Sequence, residues 1–134
     1  MDVLVDSCVW SLALRRNTPN EIIGNEIKSL IKDSRVKIIG PIRQEVLSGI
    51  SNHDHYVHLR AVLSSFPDIG LTTQNFEYAA ELANQCRVKG IQGSHTDFLM
   101  CAVAKTHKLA IFSTDKDFEG YSKIIRLSLF QIRI

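Results

Sequence analysis

Hydrophobic residues along the chain form short β-branched runs that alternate with longer segments of helical spacing. Five runs are predicted to be strands, at residues 3–5, 36–39, 68–71, 110–112 and 123–126. Helical periodicity covers residues 19–32, 41–49, 53–64, 73–89 and 94–107, and a further helix is expected to run from Cys8. Strands that alternate with helices are typical of a parallel sheet covered by helices, so the pattern predicts an α/β fold.

Length and composition predict a single domain over residues 1–134. A chain of 134 residues lies within the usual range of roughly 100–200 residues per domain. The three cysteines, Cys8, Cys86 and Cys101, form no C-x-x-C motif, which favours free thiols in a reducing cytoplasm over disulfides or a zinc knot. The start of the chain lacks a basic region, and the longest apolar stretch, residues 98–104, is far shorter than the ~20 residues of a membrane span. We therefore expect a cytoplasmic protein without a membrane segment.

Four acidic residues from four separate segments are candidates for a shared site. Asp6 directly follows the first strand, and Asp115 comes shortly after the strand at 110–112. Glu45 lies one turn into the helix after the second strand, and Asp97 lies in the first turn of the last predicted helix. Because ligands of open α/β sheets bind at the carboxyl edge of the strands, these four acids are expected to converge on one cleft.

Each of these acids also has a purely structural explanation. Asp6 and Ser7 can cap the following helix, and residues 94–97 have the spacing of a capping box. Glu45 can be a solvated helix residue, and an aspartate in residues 114–117 can close a turn. The functional interpretation is stronger when the acids are considered together, because acids follow three strands on one side of a sheet.

A cluster of carboxylates predicts a divalent cation and phosphate chemistry. Crowded carboxylates repel one another, and Mg²⁺ or Mn²⁺ bound through oxygen ligands relieves that repulsion. The metal polarises a phosphoryl oxygen and acidifies a bound water that can attack phosphorus. The chain carries a net charge of +2, and if four acids are withdrawn into such a site, sixteen basic residues face ten acidic ones, a charge of +6. Such a surface attracts a polyanion such as RNA.

Four segments resemble the motifs of PIN-domain proteins, and their order and spacing are most similar to those of VapC-type toxins of toxin–antitoxin systems. These segments are VDSCVW at residues 5–10, EVLSG at 45–49, DFLMCAVA at 97–104 and STDKDF at 113–118. The resemblance implies a PIN-like three-layer sandwich whose mainly parallel sheet has strand order 3-2-1-4-5. It also implies a Mg²⁺- or Mn²⁺-dependent endoribonuclease that is inhibited by a cognate VapB-like antitoxin and is usually a homodimer.

The resemblance assigns roles to individual residues of this chain. The acidic quartet that the family uses to hold the metal is matched by Asp6, Glu45, Asp97 and Asp115. Asp117 matches a further acid that is often present, and the small hydroxyl positions are matched by Ser7, Ser113 and Thr114. The sequence departs from the family pattern at His95-Thr96, directly before the third acid.

Other functional interpretations of the sequence stay open. Residues 53–58 contain three histidines and suggest zinc, although an exposed polar helix explains them equally well. Arg15 and Arg16 are candidates for contacts with RNA phosphates, and Trp10 is expected to be a core or dimer aromatic. The alternatives for the whole chain are a PIN nuclease that is not a toxin, a catalytically silent PIN module that binds RNA or protein, and a receiver-like signalling domain. A receiver expects paired acids after its first strand, whereas Ser7 follows Asp6 here.

Overall fold

The centre of the molecule is a sheet of four short parallel strands, seen in a computed structural model that describes residues 1–132. The strands are β1 (Val3–Val5), β2 (Val36–Lys37), β3 (Ala110–Phe112) and β4 (Ser128–Leu129). Their order across the sheet is β2-β1-β3-β4, and every pairing is parallel. In β1 and β3 every residue is buried, which is why these strands are continuous runs of apolar side chains rather than alternating ones.

Seven helices surround this sheet in the described part of the chain. They are α1 (Ser7–Ala13), α2 (Glu21–Lys32), α3 (Gly40–Leu47), α4 (His53–Leu63), α5 (Thr73–Val88), α6 (His95–His107) and α7 (Asp117–Ser122). Polar side chains start four of them by accepting a hydrogen bond from a backbone amide three residues on, and these caps are Asn20, Asn52, Thr72 and Ser94. Helix α6 packs along α5 and against β3, and residues 98–104 of α6 are all buried.

The core contains half of the ten aromatic side chains. Trp10, Phe112, Phe118 and Tyr121 are buried almost completely. The Trp10 ring lies with its centroid 5.5 Å from that of Phe66, which confirms its expected place in the core. The three cysteines are all free, as the sequence predicts. Within residues 1–132, no helix is both long enough and apolar enough to cross a bilayer.

The predicted fold class is confirmed, with differences at two strands. The segment expected to be a strand at 68–71 contributes only one isolated bridge, between Ile38 and Asp68, so the sheet has four strands instead of five. The prediction of a strand at 123–126 is wrong. There the amides of Ile124 and Ile125 both donate to the carbonyl of Tyr121, which extends helical hydrogen bonding beyond α7, and the last strand forms two residues later as β4. The last two residues of the predicted 1–134 domain lie outside the described residues.

Arg43 joins α3 to the segment that follows α4. Its Nη1 donates to the carbonyl oxygen of Leu63 at 2.8 Å, and its Nη2 donates to the carbonyl of Phe66. Its Nε and Nη2 also donate to Asp68 Oδ1 at 3.1 and 3.0 Å. One guanidinium therefore satisfies two carbonyls and a carboxylate on the stretch of chain that bridges to Ile38.

We expect Arg43→Ala to lower the free energy of unfolding by about 2–3 kcal/mol, because two partly buried carbonyls lose their donor. Equilibrium urea unfolding measures the change. The matched control is Arg60→Ala, since the side chain of Arg60 is exposed and lies over the ring of Tyr56, 5.6 Å from its centroid. Equal losses of stability in the two variants would contradict the role of Arg43 as a tether.

Candidate active site

Three carboxylates meet at the carboxyl edge of β3. One oxygen atom from each of Asp97, Asp115 and Asp117 lies within 4.8 Å of the other two. Asp97 is partly buried in the first turn of α6, whereas Asp115 and Asp117 are exposed in the turn and first helical residue after β3. The convergence expected from the sequence is therefore present for Asp97 and Asp115, together with the additional acid Asp117.

Asp6 lies at the adjoining edge of β1 and is 7% exposed. Its backbone amide donates to the carbonyl of Phe112, which fixes the end of β1 against the end of β3. Its Oδ1 accepts a hydrogen bond from the amide of Ser7 at 2.7 Å, so Asp6 does cap α1, while its Oδ2 accepts from the hydroxyl of Ser113 at 2.8 Å. Capping and a place in the acidic site are thus compatible for this residue.

Two serine hydroxyls link the acids to one another. Ser7 Oγ donates to Glu45 Oε2 at 2.8 Å, which ties the exposed carboxylate on α3 to the start of α1. Ser113 Oγ donates to Asp6 and accepts from the amide of Asp115 at 3.0 Å. The tight group of three carboxylates does not include Asp6 or Glu45, and these two acids are connected to the site through the hydroxyls.

The loop after β3 has its own turn geometry. Asp115 Oδ1 accepts a hydrogen bond from the amide of Asp117 at 2.9 Å, so an aspartate does close a turn in residues 114–117, as the structural explanation of this segment predicts. Thr114 is exposed, and it takes no part in the hydrogen bonds of Ser113, Asp115 and Asp117 described here. The turn holds the two aspartates side by side, so its structural role also serves to bring charge together.

Tyr121 is a site residue that the sequence did not reveal. Its phenolic hydroxyl donates to Asp97 Oδ2 at 2.6 Å, and its side chain is completely buried. The backbone amide of Asp97 donates to the capping hydroxyl of Ser94 at 3.0 Å, so both ends of this residue are fixed. No local pattern marks Tyr121, because its partner lies 24 residues away and the helix that carries it, α7, was not predicted.

The site is strongly negative. Burial raises the pKa of Asp97 above its ordinary value, and the charges of Asp6 and Asp115 raise it further, while hydrogen bonds from Tyr121 and Ser94 act in the opposite direction. Burial and the bond to Asp97 raise the pKa of the Tyr121 phenol. The ion pairs of Lys37 with Asp2 and of Arg43 with Asp68 do not involve the acids of the site.

This set of donors fits a hard divalent cation. Mg²⁺ and Mn²⁺ prefer carboxylate oxygens, retain waters in their shell and do not need nitrogen or sulfur ligands. The group formed by Asp97, Asp115 and Asp117 offers three such oxygens, and Asp6 is linked to it through Ser113. Crowded negative charge is what a bound cation would relieve.

The other candidate residues are not members of the group of three carboxylates. Arg15 and Arg16 are exposed in the connection between α1 and α2, where they line a groove with His55. His95 is the exposed first residue of α6 and lines a groove between α5 and α6. In the described part of the chain the histidines of α4 do not form a group of three metal-ligating side chains, so the geometry does not support zinc at residues 53–58.

Comparison with known proteins assigns the chain to a family. The sequence profile of the PIN domain matches residues 3–124, and the chain belongs to the PIN domain family. It is similar to Ribonuclease VapC11 of Mycobacterium tuberculosis, with 25% identity over 135 residues that cover 98% of this chain and 99% of the relative.

Solved structures share the fold over almost the whole length. VapBC2 from Rickettsia felis, bound to a DNA fragment from its promoter, has a chain that superposes with a TM-score of 0.80 at 18% identity, covering 97% of this chain and 98% of that one. FitAcB from Neisseria gonorrhoeae gives a TM-score of 0.78 at 21% identity, with 96% of each chain covered. The predicted resemblance to PIN-domain proteins of the VapC type is confirmed.

Proposed function

We propose that the protein is a Mg²⁺- or Mn²⁺-dependent endoribonuclease that acts as the toxin of a toxin–antitoxin pair. The observation that carries the proposal is the group of three converging carboxylates, with Asp6 beside it, at the sheet edge of a PIN domain. The relative named Ribonuclease VapC11 supports the activity. The VapBC2 structure and a toxin–antitoxin complex from Klebsiella pneumoniae support the existence of a protein partner.

In the proposed mechanism, Asp97, Asp115 and Asp117, together with Asp6, hold the cation. Glu45, which is tied to the start of α1 by its hydrogen bond from Ser7, is proposed as a further ligand. A bound divalent cation would supply Lewis acidity toward a phosphoryl oxygen and would make a water acidic enough to attack phosphorus. The hydroxyls of Ser7 and Ser113 keep the carboxylates in place.

Charge outside the cleft fits an RNA substrate. Without the predicted quartet of Asp6, Glu45, Asp97 and Asp115, the chain has ten acidic and sixteen basic residues. The exposed Arg15 and Arg16 belong to this basic surface. Phosphates are therefore attracted to the molecule as a whole, and the negative cleft accepts the scissile phosphate only when a cation is bound.

The purified chain tests the activity directly. We expect total cellular RNA to be cut in Mg²⁺ or Mn²⁺ and to stay intact in EDTA, with new 5′ and 3′ ends mapped by sequencing. If the chain binds RNA without cutting it in either metal, a catalytically silent binding module is the better account.

We further propose that the toxin is silenced by the disordered C-terminal tail of an antitoxin, whose basic residue approaches Asp6, Glu45, Asp97 or Asp115. The crowded carboxylates favour an arginine, whose planar fork matches carboxylate geometry. Expression of the chain alone is expected to stop growth, and co-expression with the product of a small adjacent gene is expected to restore it. Removal of that partner's C-terminus should abolish the rescue. If the chain is harmless alone, or the neighbour fails to neutralise it, a non-toxin PIN nuclease is favoured.

We also propose that the protein acts in the cytoplasm and forms a homodimer. The three free cysteines are consistent with function in the reducing cytoplasm. A homodimer is the expected state in solution, and light scattering coupled to size-exclusion chromatography measures it.

A further inference from the structure

Tyr121 holds the Asp97 carboxylate from the interior of the protein. Its hydroxyl reaches Asp97 Oδ2 at 2.6 Å, the usual length of a strong bond between a hydroxyl and a carboxylate. The tyrosine is completely buried and Asp97 is partly exposed, so the bond spans from core to cleft. A phenol keeps its proton near neutral pH and donates a single hydrogen bond, which here goes to Asp97.

The fold leaves room for this phenol and fixes its direction. The ring of Tyr121 packs between those of Phe98, at 4.8 Å between centroids, and Phe118, at 5.4 Å in an edge-to-face arrangement. Gly93 lies directly against the hydroxyl, and a Cβ atom at that position would come within 2.0 Å of Tyr121 Oη. The lack of a side chain at Gly93 therefore allows the phenol to reach its partner.

We propose that Tyr121 is a positioning residue, which keeps the Asp97 carboxylate directed into the cleft so that it can bind the divalent cation. This inference rests on the proposed function of the site. Asp97 is next to the like charges of Asp6 and Asp115, and part of its surface is removed from water. Without a donor behind it, a repelled carboxylate would turn toward solvent and away from Asp115. The hydrogen bond uses one lone pair of Oδ2 and leaves the rest of the carboxylate available to a cation.

The test compares Tyr121→Phe with Tyr78→Phe, which makes the same change on α5, in a separate groove that includes Gly70 and His107. Phenylalanine keeps the ring between Phe98 and Phe118 and removes only the hydroxyl. We expect Tyr121→Phe to weaken Mn²⁺ binding, measured by titration calorimetry, by about tenfold or more, as loss of an outer hydrogen bond to a metal ligand typically does. Tyr78→Phe should bind Mn²⁺ like the wild type.

A second pair of measurements separates positioning from mere stability. Thermal unfolding in EDTA reports the packing role of Tyr121, and Mn²⁺ affinity of the folded protein reports the positioning role. In an Asp97→Asn background, Tyr121→Phe should cause no further loss of Mn²⁺ affinity, because the carboxylate that it positions is gone. Equal Mn²⁺ affinity of the wild type and Tyr121→Phe would overturn the inference while leaving the proposed function standing. Absence of Mn²⁺ binding by the wild type would overturn both.

If Tyr121→Phe does not fold, the wild type itself still provides a test. Proton NMR in water should show a downfield, slowly exchanging hydroxyl proton from Tyr121 that persists when Mg²⁺ is added and is altered in Asp97→Asn. Loss of this resonance on addition of Mg²⁺ would show that the bond breaks when the cation binds, which would contradict a positioning role.

Discussion

Asp97→Asn is expected to lower RNA cleavage by about 100-fold or more while leaving the circular-dichroism spectrum unchanged. The substitution removes a charged ligand, and even the loss of an outer partner of a metal ligand costs about 10–100-fold. Asparagine keeps an oxygen that can accept from Tyr121, so the packing of the aromatic cluster is preserved. Asp6→Asn should lower cleavage in the same way, because it also removes a charged ligand. Its circular-dichroism spectrum should stay unchanged, because asparagine is as good an N-cap as aspartate and retains the start of α1.

Asp54→Asn is the matched control for these variants. Asp54 also lies in the first turn of a helix, α4, so its removal takes away the same favourable interaction with the helix dipole. It is exposed and has no contact with the acidic group. Full cleavage by purified, folded Asp97→Asn or Asp6→Asn would refute the assignment of the site.

Addition of Mn²⁺ is expected to stabilise the wild type strongly. A cation that binds only the folded state contributes about 2.7 kcal/mol at a concentration of one hundred times its dissociation constant. For a chain of this size that corresponds to a rise in Tm of about 8 °C. Glu45→Gln should show a much smaller rise than the wild type, and Glu81→Gln, which neutralises an exposed acid on α5, should show the full rise. If Glu45→Gln shifts as far as the wild type, Glu45 is not a ligand.

The stabilisation by Mn²⁺ should also depend on pH in a definite direction. Metal binding requires ionised carboxylates, and the pKa of Asp97 is raised, chiefly by burial. As the pH falls, the Mn²⁺-induced rise in Tm is therefore lost at a higher pH than for an aspartate with an ordinary pKa.

Without metal, the raised pKa of Asp97 makes the protein less stable as the pH rises, which is the opposite of its effect on Mn²⁺ stabilisation. A raised pKa in the folded state means that the folded protein holds the Asp97 proton more tightly than the unfolded chain, so this group favours folding at low pH and loses that contribution as the pH rises through its pKa. In EDTA, Asp97→Asn should consequently be more stable than the wild type at neutral pH, and this advantage should vanish on acidification. Thermal melts across a pH series measure both effects.

Residues that follow strands directly were predictable from sequence because local order fixes their place. Asp6 and Asp115 come at the ends of β1 and β3, whose short apolar runs are unambiguous, and Asp97 follows a serine that caps α6. A parallel sheet brings Asp6 and Asp115 to one edge, and Asp97 reaches the same edge from the first turn of α6. The acidic site could be anticipated for that reason.

What the sequence did not predict depends on tertiary packing. Residues 123–126 have the β-branched composition of a strand, yet Ile125 is buried after α7 and its amide bonds to Tyr121 as in a helix. Burial against the core therefore overrides the local preference for β structure. Tyr121 itself was missed because its role depends on Gly93 and Asp97, far away in sequence, and no short-range spacing relates them.

Direct observation of the cation is the sharpest test of the central claim, that the acids at the sheet edge form a metal site. Crystals of the protein soaked in Mn²⁺ should show an anomalous peak about 2 Å from carboxylate oxygens of Asp97 and Asp115, with Asp117 or Asp6 completing the protein ligands. The peak should disappear in Asp97→Asn. A wild-type crystal with no peak in this cleft, or with its Mn²⁺ bound among the histidines of α4, would contradict the account.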